Sequence, residues 1–401
     1  MDASAAVCSN RRILLWCTAG AAMLSVPAPA FGGKSEHPPF PSPPTSPPGP
    51  APDYLSVDVP KEKPPPLFLI GAMKSGTTGL HNALMVHEQY RRGKAPPGGM
   101  PWMSKELHFF DSHPCRRPHQ CRLDYQKRLP SVGPGEVVID GTPAYFHLGG
   151  TVPRRIKKVY RSVYKDLRFV IILRDPVERA LSHWKFVQLK VHGANCTDRK
   201  PGTRQLDNPA DHSKLGCWGS SMAKYSSLET LADSVVGEYT ACVEACGRNS
   251  TCTVGCGEVH GTKPAGIITR GLYGIAMKQW LQRFEPHQFC IVLFSTLAGT
   301  DLEKIQTLLN TVSKFVFGDK WVPRDWGTPE RKNSALDHNE TIASLTEEAD
   351  LARAQQKLHA FFKGGGRRGL FDLLAEKGYL GCGVNAIPSI IAPDAERYYG
   401  P

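Results

Sequence analysis

Short apolar runs alternate with helical patterns along most of the chain from Leu67 onward. The apolar runs are five or six residues long, and helical stretches with apolar positions three and four apart separate them. Runs of this kind are typical of strands that are buried on both faces of a parallel sheet. The pattern therefore predicts an α/β fold, with a central parallel sheet flanked by helices. The predicted strands are 67–71, 136–140, 168–174 and 289–294, and the predicted helices are 76–87, 176–191, 273–284, 301–315 and a pair near 342–377.

The first predicted strand ends in a polar turn of small residues. Its sequence is LFLIGAMKSGTTGLHNALM, and the turn carries Lys74, Ser75, Gly76, Thr77 and Thr78. A strand, a small-residue loop and a helix N-terminus can hold a phosphate, because loop amides and the helix dipole attract an anion. The order differs from GxxxxGK[ST], since the lysine precedes the inner glycine. The stretch predicts a phosphate site, and a plain strand–turn–helix connection is the alternative.

A second candidate anion site follows the third predicted strand. In FVIILRDPVERALSHWKF, Arg174 ends the strand, Pro176 begins a helix, and Ser182 lies on that helix. Ligands of open α/β sheets bind at the carboxyl ends of the strands, where this arginine lies. The guanidinium can form a bidentate pair with phosphate, and the serine can add a hydroxyl. The alternative is a structural salt bridge at the strand end.

The interval from 192 to 265 breaks the alternation and is a predicted cysteine-rich insert. It is polar, rich in glycine, and holds six cysteines. Four of them are spaced C-x3-C-x5-C-x3-C, so cysteines one helical turn apart share a face and nested disulfides are predicted. A zinc site with four thiolates is the alternative. The four are Cys242, Cys246, Cys252 and Cys256, and the other predicted pairs are Cys115 with Cys121 and Cys196 with Cys217.

The N-terminal residues predict entry into the secretory pathway. In residues 1–30, Arg11 and Arg12 precede an apolar core of about 14 residues, and small residues follow. A membrane span needs roughly 20 residues, so a cleaved signal peptide fits the length slightly better than a short signal anchor. A transit peptide is disfavoured because serine and arginine are not enriched. Residues 31–66 are proline-rich and predict an extended stem. Three glycosylation sequons, at Asn195, Asn249 and Asn339, agree with a lumenal route.

The charge of the chain favours an anionic partner. The formal net charge is +12 and the sequence pI is about 9.1. No zinc-finger, RRM or basic-helix pattern is visible, so nucleic acid is not the predicted partner. The basic residues are dispersed, with a small cluster formed by Arg154, Arg155, Lys157, Lys158 and Arg161.

The two candidate anion sites together resemble sulfotransferases that use 3′-phosphoadenylyl sulfate (PAPS). The carrying motifs are G-x-x-K-S-G-T-T and, about 100 residues later, R-D-P-x-E-R-A-x-S. The resemblance implies a P-loop-like sulfotransferase fold in which the first loop holds the 5′-phosphosulfate and the second holds the 3′-phosphate. Lys74, Ser75, Gly76, Thr77 and Thr78 would then bind the 5′ end, and Arg174 and Ser182 the 3′-phosphate.

A third stretch, SKELHFFD, resembles the KE-x-HFFD segment of Golgi heparan sulfate sulfotransferases. The resemblance implies that Glu106 is the catalytic base and that His108 orients it or acts as base itself, with Asp111 supporting the loop. IDGTPAYF resembles their E-K-[ST]-x-x-Y-F segment, but Gly141 stands where the pattern has lysine, and their K-G-R-x-H-P loop is not recognisable. The predicted substrate-binding residues are Lys105, Asp111, Thr142 and Tyr145.

The sequence therefore predicts a carbohydrate sulfotransferase of the Golgi lumen. Its domain would span 67–385, followed by a tail at 386–401. Lys74 would stabilise charge on the leaving group, a carboxylate would take the acceptor proton, and no metal is required. The predicted acceptor is a glycan or anionic polysaccharide, and the N-terminal segment would anchor or release the enzyme. The alternatives are a catalytically silent module that binds PAPS or sulfated glycan, a protein-tyrosine sulfotransferase, and a kinase, which the misplaced lysine disfavours.

Overall fold

Five parallel strands form the central sheet of the protein. The computed structural model describes residues 65–192, 225–247, 255–256, 264–327, 348–364, 370–379 and 381–382. The strands are β1 (Leu67–Gly71), β2 (Tyr90–Arg92), β3 (Val137–Asp140), β4 (Arg168–Leu173) and β5 (Phe289–Leu293), in the order β2-β3-β1-β4-β5. All four neighbouring pairs are parallel. The predicted α/β fold with a parallel sheet is confirmed.

The strand order places a topological switch beside β1. From β1 the chain moves outward to β2, returns to β3, and then crosses to β4 on the other side of β1. Connections on opposite sides open a crevice at the carboxyl ends of the two central strands, which is where open α/β sheets bind ligands. The loops after β1 and β4 are the two candidate anion sites, so the topology brings them to one crevice.

Alternating side chains of the strands fill two cores, one on each face of the sheet. Phe68 and Ile70 of β1 point into the first core, which is rich in aromatic residues such as Phe169, Tyr125 and Trp280. The intervening Leu67 and Leu69 point into the second core with side chains of the helices on that face. Because both faces are covered, the strands read as continuous apolar runs.

Twelve α-helices lie in the described part of the chain. They are α1 (Thr77–Leu84), α2 (Phe109–Ser112), α3 (Pro118–Gln126), α4 (Val152–Val159), α5 (Pro176–His192), α6 (Leu228–Cys246), α7 (Gly266–Thr269), α8 (Tyr273–Leu281), α9 (Phe294–Ala298), α10 (Leu302–Phe317), α11 (Glu348–Gly364) and α12 (Leu370–Glu376). All of the predicted strands and helices are present with small shifts at their ends. The sequence did not predict β2 or helices α2, α3, α4, α6, α7 and α9.

Three disulfide bonds lie in the described part of the chain. Cys115 is bonded to Cys121, as predicted, and Cys242 is bonded to Cys256, a pair of the nested kind predicted for the C-x3-C-x5-C-x3-C motif. A third bond, not predicted, joins Cys290 of β5 to Cys382. The predicted pair of Cys196 and Cys217 lies outside the described residues.

The described part of the insert is mainly α6. A capping box of Ser227 and Thr230 begins the helix. Its apolar side packs with side chains of α5, α7 and α11 in a third core, and Lys357 of α11 contacts Asp233 at 2.7 Å. In the described ranges, no helix is long and apolar enough to cross a membrane. The predicted signal segment and stem, residues 1–30 and 31–66, fall outside those ranges except for 65 and 66.

Candidate active site

The loop after β1 is held in a strained conformation that brings its polar residues to the crevice. Lys74 has a φ of 67° and Gly76 a φ of 93°, a region that residues with a Cβ rarely adopt. A Cβ on Gly76 would lie 2.5 Å from the Phe294 ring, so only glycine fits there. Helix α1 begins directly afterwards at Thr77 and has no acidic residue in its first turn. The amides of that turn are therefore suited to an anion.

Lys74 is the residue at which the three sequence motifs meet. Burial lowers the pKa of its ammonium, the positive charge of Arg174 lowers it further, and the carboxylate of Glu106 partly opposes both, so that the pKa falls from 10.5 to about 8. The ammonium lies 4.3 Å from the centre of the Phe186 ring. A buried lysine with a lowered pKa gains stability from a bound anion, which restores its charged form. The residues present thus fit a phosphate or phosphosulfate group.

One face of α5 links Lys74 to the second anion motif. Glu178, Ser182 and Phe186 are four residues apart on this helix and so share a face. Arg174 donates through Nε to Glu178 at 3.1 Å, and its guanidinium lies 4.7 Å from the ring centre of Phe294. Ser182, half-buried, lies between the side chain that holds Arg174 and the ring that supports Lys74. The face therefore carries Ser182 and, through Glu178, holds Arg174, the two predicted anion-binding groups of the second motif.

The KELHFFD segment forms a continuous chain of alternating charges. Lys105 Nζ lies 2.6 Å from Glu106 Oε1, and His108 Nε2 lies 3.3 Å from Glu106 Oε2. His108 Nδ1 lies 2.6 Å from Asp111 Oδ2. The Lys105 side chain is almost fully buried, whereas that of Glu106 keeps about 23% of its exposure. The four side chains therefore act as one network in which Glu106 is the member beside Lys74.

The network fixes the protonation states of its members. Burial raises the pKa of Glu106, but the charge of Lys105 and the hydrogen bonds from His108 and Lys105 outweigh it, so the pKa falls to about 2. Burial lowers the pKa of His108, yet hydrogen bonds to Asp111 and Glu106 raise it to about 10. At neutral pH the glutamate is ionised and can accept a proton, while the imidazole already carries one. The geometry therefore favours His108 as the group that orients Glu106, rather than as the base.

A buried carboxylate supports this loop from below. Asp140, at the end of β3, accepts hydrogen bonds from Thr142 Oγ1 at 2.6 Å, Tyr125 OH at 2.7 Å and Tyr145 OH at 3.1 Å. The Thr142 hydroxyl accepts from the amide of His108, and the Tyr145 hydroxyl accepts from the two amides that follow. Thr142 and Tyr145 are fully buried. The structure therefore places both as supports of the loop, and their role in substrate binding stays a prediction.

Removing the Asp140 carboxylate is expected to destabilise the fold. Asp140→Ala leaves three buried hydroxyls without their acceptor, at a cost of about 1–3 kcal/mol for each unsatisfied group. We expect the free energy of unfolding in urea to fall by at least about 3 kcal/mol. The matched control is Asp140→Asn, which keeps an acceptor oxygen and should lose less. A loss below about 1 kcal/mol for the alanine variant would contradict the role given to this carboxylate.

The structure brings the predicted site residues together at one edge of the sheet. The loop after β1 and the start of α1 supply Lys74 to Thr78, and the residue after β4 is Arg174. Helix α5 supplies Ser182, and the segment that leads into α2, with α2 itself, supplies Lys105 to Asp111. Sequence reasoning missed the rings of Phe186 and Phe294, which support the two cations. It also missed Asp140 as the acceptor beneath the loop. An acidic residue that ends an otherwise apolar strand was the available signal for the latter.

Comparison with known proteins supports the resemblance of the motifs. No family model matches the chain. Over 130 residues it is 31% identical to heparan sulfate glucosamine 3-O-sulfotransferase 3A1 of Mus musculus, which is 32% of this chain and 28% of that protein. Over 121 residues it is 31% identical to 3-O-sulfotransferase 5 of the same organism, covering 30% of each. It is 29% identical over 122 residues to the membrane-associated sulfotransferase kil1 of Dictyostelium discoideum, covering 30% and 23%.

A solved sulfotransferase from Alicyclobacillus acidocaldarius is similar at 18% identity, covering 74% of this chain and 96% of that one, with a TM-score of 0.36. The chain spans less than a third of the length of the curated relatives described above. All three relatives are named as sulfotransferases, and the names of two of them specify heparan sulfate glucosamine. The predicted resemblance to PAPS-dependent sulfotransferases of the heparan sulfate kind is thereby confirmed.

Proposed function

We propose that the protein is a sulfotransferase that moves the sulfuryl group of PAPS to a hydroxyl or amine of a glycan. The observation that carries the proposal is the convergence on Lys74 of the first anion loop, Arg174 and Glu106. A transfer of this kind needs cations on the leaving phosphate and a base for the acceptor proton, and both lie in one crevice. The similarity to named heparan sulfate sulfotransferases supports the glycan as acceptor.

The chain's own residues fit the steps of the reaction. PAPS supplies an activated sulfuryl group on a phosphate leaving group. Lys74 and the amides at the start of α1 would stabilise the charge that grows on the 5′-phosphate. Arg174 and Ser182 would hold the 3′-phosphate, which positions the nucleotide. The acceptor oxygen or nitrogen would bond to sulfur as the bridging sulfur–oxygen bond breaks, and Glu106 would take the acceptor proton. Adenosine 3′,5′-bisphosphate would be the leaving group.

We also propose that the protein works in the Golgi lumen. Its disulfides suit an oxidising compartment. The N-terminal pattern and the three sequons favour the same route. Anchoring in the membrane by the N-terminal segment remains a prediction. Glycosidase treatment tests the lumenal location, since a glycosylated protein should lose mass when its N-glycans are removed. Fractionation of expressing cells tests the Golgi location and the membrane anchoring.

Transfer of radiolabelled sulfate from PAPS to a panel of polysaccharides tests the proposed reaction. The purified protein should label at least one acceptor, and Glu106→Gln should lower kcat by about 10²–10⁴-fold, since it removes the base with little change in shape. Asp124→Asn, in an exposed ion pair with Lys127, is the matched control and should retain activity. Full activity in Glu106→Gln would show that another group takes the proton. Binding of PAPS without labelling of any glycan or tyrosine peptide would favour the silent module.

A further inference from the structure

A strongly basic surface lies beside the candidate active site and takes no part in the reaction described above. It is formed by two stretches, 113–122 and 152–161, which hold eight lysines and arginines and no acidic residue. The exposed members are defined here as the basic surface: Arg116, Arg117, Arg154, Lys158 and Arg161.

Contacts between the two stretches bring these cations onto one surface. Lys158 Nζ of α4 donates to the carbonyl of Arg116 at 3.4 Å. The Cys115–Cys121 disulfide closes the loop that presents Arg116 and Arg117. The guanidinium of Arg122 also lies 5.5 Å from the ring centre of Tyr160. Residues about 40 positions apart in the sequence are therefore held together by the fold.

The basic surface is anchored to the segment that carries the candidate base. Arg155 Nη1 donates to the carbonyl of Phe110 at 2.7 Å and to that of Asp111 at 3.2 Å. Asp111 is the last member of the network that orients Glu106. Because one arginine of α4 holds the end of this network, the neighbouring cations of α4 are held close to the segment that carries Glu106.

Helix α4 carries its charges at a cost to its own stability. Arg154 is in the first turn, where the helix dipole disfavours a cation. Arg154 and Lys158 are four residues apart, so these like charges repel on one face of the helix, and Arg161 adds a further positive charge just beyond its end. No acidic residue in 152–161 relieves this repulsion. A surface that serves folding alone would mix charges of both signs, so the arrangement points to an anionic partner.

We propose that the basic surface binds the sulfate and carboxylate groups of an anionic polysaccharide at sugars beyond the one that reacts. This inference rests on the proposed function, which it deepens by adding a second contact with the same acceptor chain. An extended acceptor would bind both the crevice and this surface and gain affinity from linkage. A short oligosaccharide would reach only the crevice.

The test compares long and short acceptors with a matched pair of variants. The triple variant Arg154→Ala, Lys158→Ala and Arg161→Ala removes three charges from the basic surface. Its control, Lys304→Ala, Lys314→Ala and Lys320→Ala, removes three exposed charges on α10 and the turn that follows it, and α10 packs on the opposite face of the sheet. A labelled heparin fragment is the binding probe, titrated at several salt concentrations, and KM is measured for a polymer and a tetrasaccharide of the same composition.

For the basic-surface variant we expect heparin binding about 10-fold weaker at low salt, with a log–log salt slope smaller by about two. Its KM should rise for the polymer and stay unchanged for the tetrasaccharide, while its thermal stability is equal to or above that of the wild type. The control should match the wild type in every measurement. Equal heparin affinity and equal polymer KM in both variants would overturn the proposal, as would tighter binding of phospholipid vesicles or RNA than of heparin.

The two proposals fail in distinguishable ways. A wild type that binds heparin through this surface but transfers no sulfate would leave the surface in place and remove the proposed function. A wild type that transfers sulfate while the triple variant keeps its polymer KM would do the reverse.

Discussion

Lys74→Ala is expected to lower sulfuryl transfer by about 10²–10³-fold, the size found when one donor to a developing charge is removed. The ammonium belongs to the loop after β1, where burial and Arg174 already lower its pKa to about 8. Burial and, after it, the like charge of Arg174 both disfavour the charged ammonium, so negative charge brought close to it would favour that form. A bound nucleotide phosphate would supply this negative charge, and the variant would lose this interaction. The measurement is kcat and KM with radiolabelled PAPS and the best acceptor of the panel.

The lowered pKa also gives a pH dependence with a definite sign. Below a pH of about 8 Lys74 is charged in the free protein, and above it the ammonium loses its proton. Affinity for adenosine 3′,5′-bisphosphate should therefore weaken by about 10-fold between about pH 7 and about pH 9, because binding the anion must first restore the proton. Calorimetric titration across this range measures it.

Lys74→Arg is the control for this pH dependence. Its guanidinium stays charged throughout the range, so its affinity curve should be flat even if its geometry is poorer. A wild-type curve as flat as that of the arginine variant would show that Lys74 does not contact the nucleotide. Unfolding of each variant is measured at the same pH values. This measurement distinguishes a change in nucleotide affinity from a loss of folding.

The convergence of the two anion motifs was predictable because it follows from chain topology. Lys74 and Arg174 each come directly after a buried parallel strand, and the carboxyl ends of such strands lie at one edge. The sheet order puts β4 next to β1, so both residues reach the same crevice. The alternation of strands and helices was therefore enough to predict that the two motifs lie close together.

Other features could not be predicted because they depend on long-range packing. Strand β2 is three residues long with the sequence YRR, so it has no apolar run that marks a strand. The Cys290–Cys382 bond joins residues 92 apart, and many pairings are compatible with the same number of cysteines. The support of His108 by Thr142, 34 residues away, likewise depends on where β3 ends beside the loop. Local sequence patterns do not predict contacts between residues that are far apart in the sequence.

The close packing of Lys105 against Gly141 gives the second prediction of large effect. Gly141 stands where the resembling E-K-[ST] segment has lysine, which suggested that a charge is missing from the acceptor site. In the structure, a Cβ on Gly141 would lie 3.3 Å from Lys105 Cγ and 3.3 Å from the Lys105 carbonyl. Lys105 thus occupies the region beside Gly141 and brings its ammonium to 2.6 Å from Glu106. Lys105 therefore provides the positive charge that is absent at Gly141.

Lys105→Ala should therefore raise the pKa of Glu106, because it removes the cation beside the carboxylate. An opposite charge at this distance lowers a carboxyl pKa by about 1–3 units, so its loss should move the acidic limb of the profile of kcat/KM against pH upward by about that amount. Glu106 must be ionised to accept the proton, so transfer at acid pH should fall. At neutral pH we expect a loss of about 10-fold from poorer positioning of the carboxylate.

The double variant Lys105→Ala with Gly141→Lys should move the acidic limb back toward the wild type. Removal of the Lys105 side chain takes away one of the three atoms that a Cβ at 141 would meet at 3.3 Å, and His81 Cδ2 and the Lys105 carbonyl remain. The new ammonium is expected to replace the charge lost beside Glu106. The control is Lys105→Ala with Gly141→Ala, which fills part of the same space without charge and should behave like Lys105→Ala alone. An acidic limb that is the same in Lys105→Ala and the wild type would show that Lys105 does not set the ionisation of Glu106. Rescue by lysine but not by alanine at 141 would establish that the charge, rather than the packing, is what this position of the site requires.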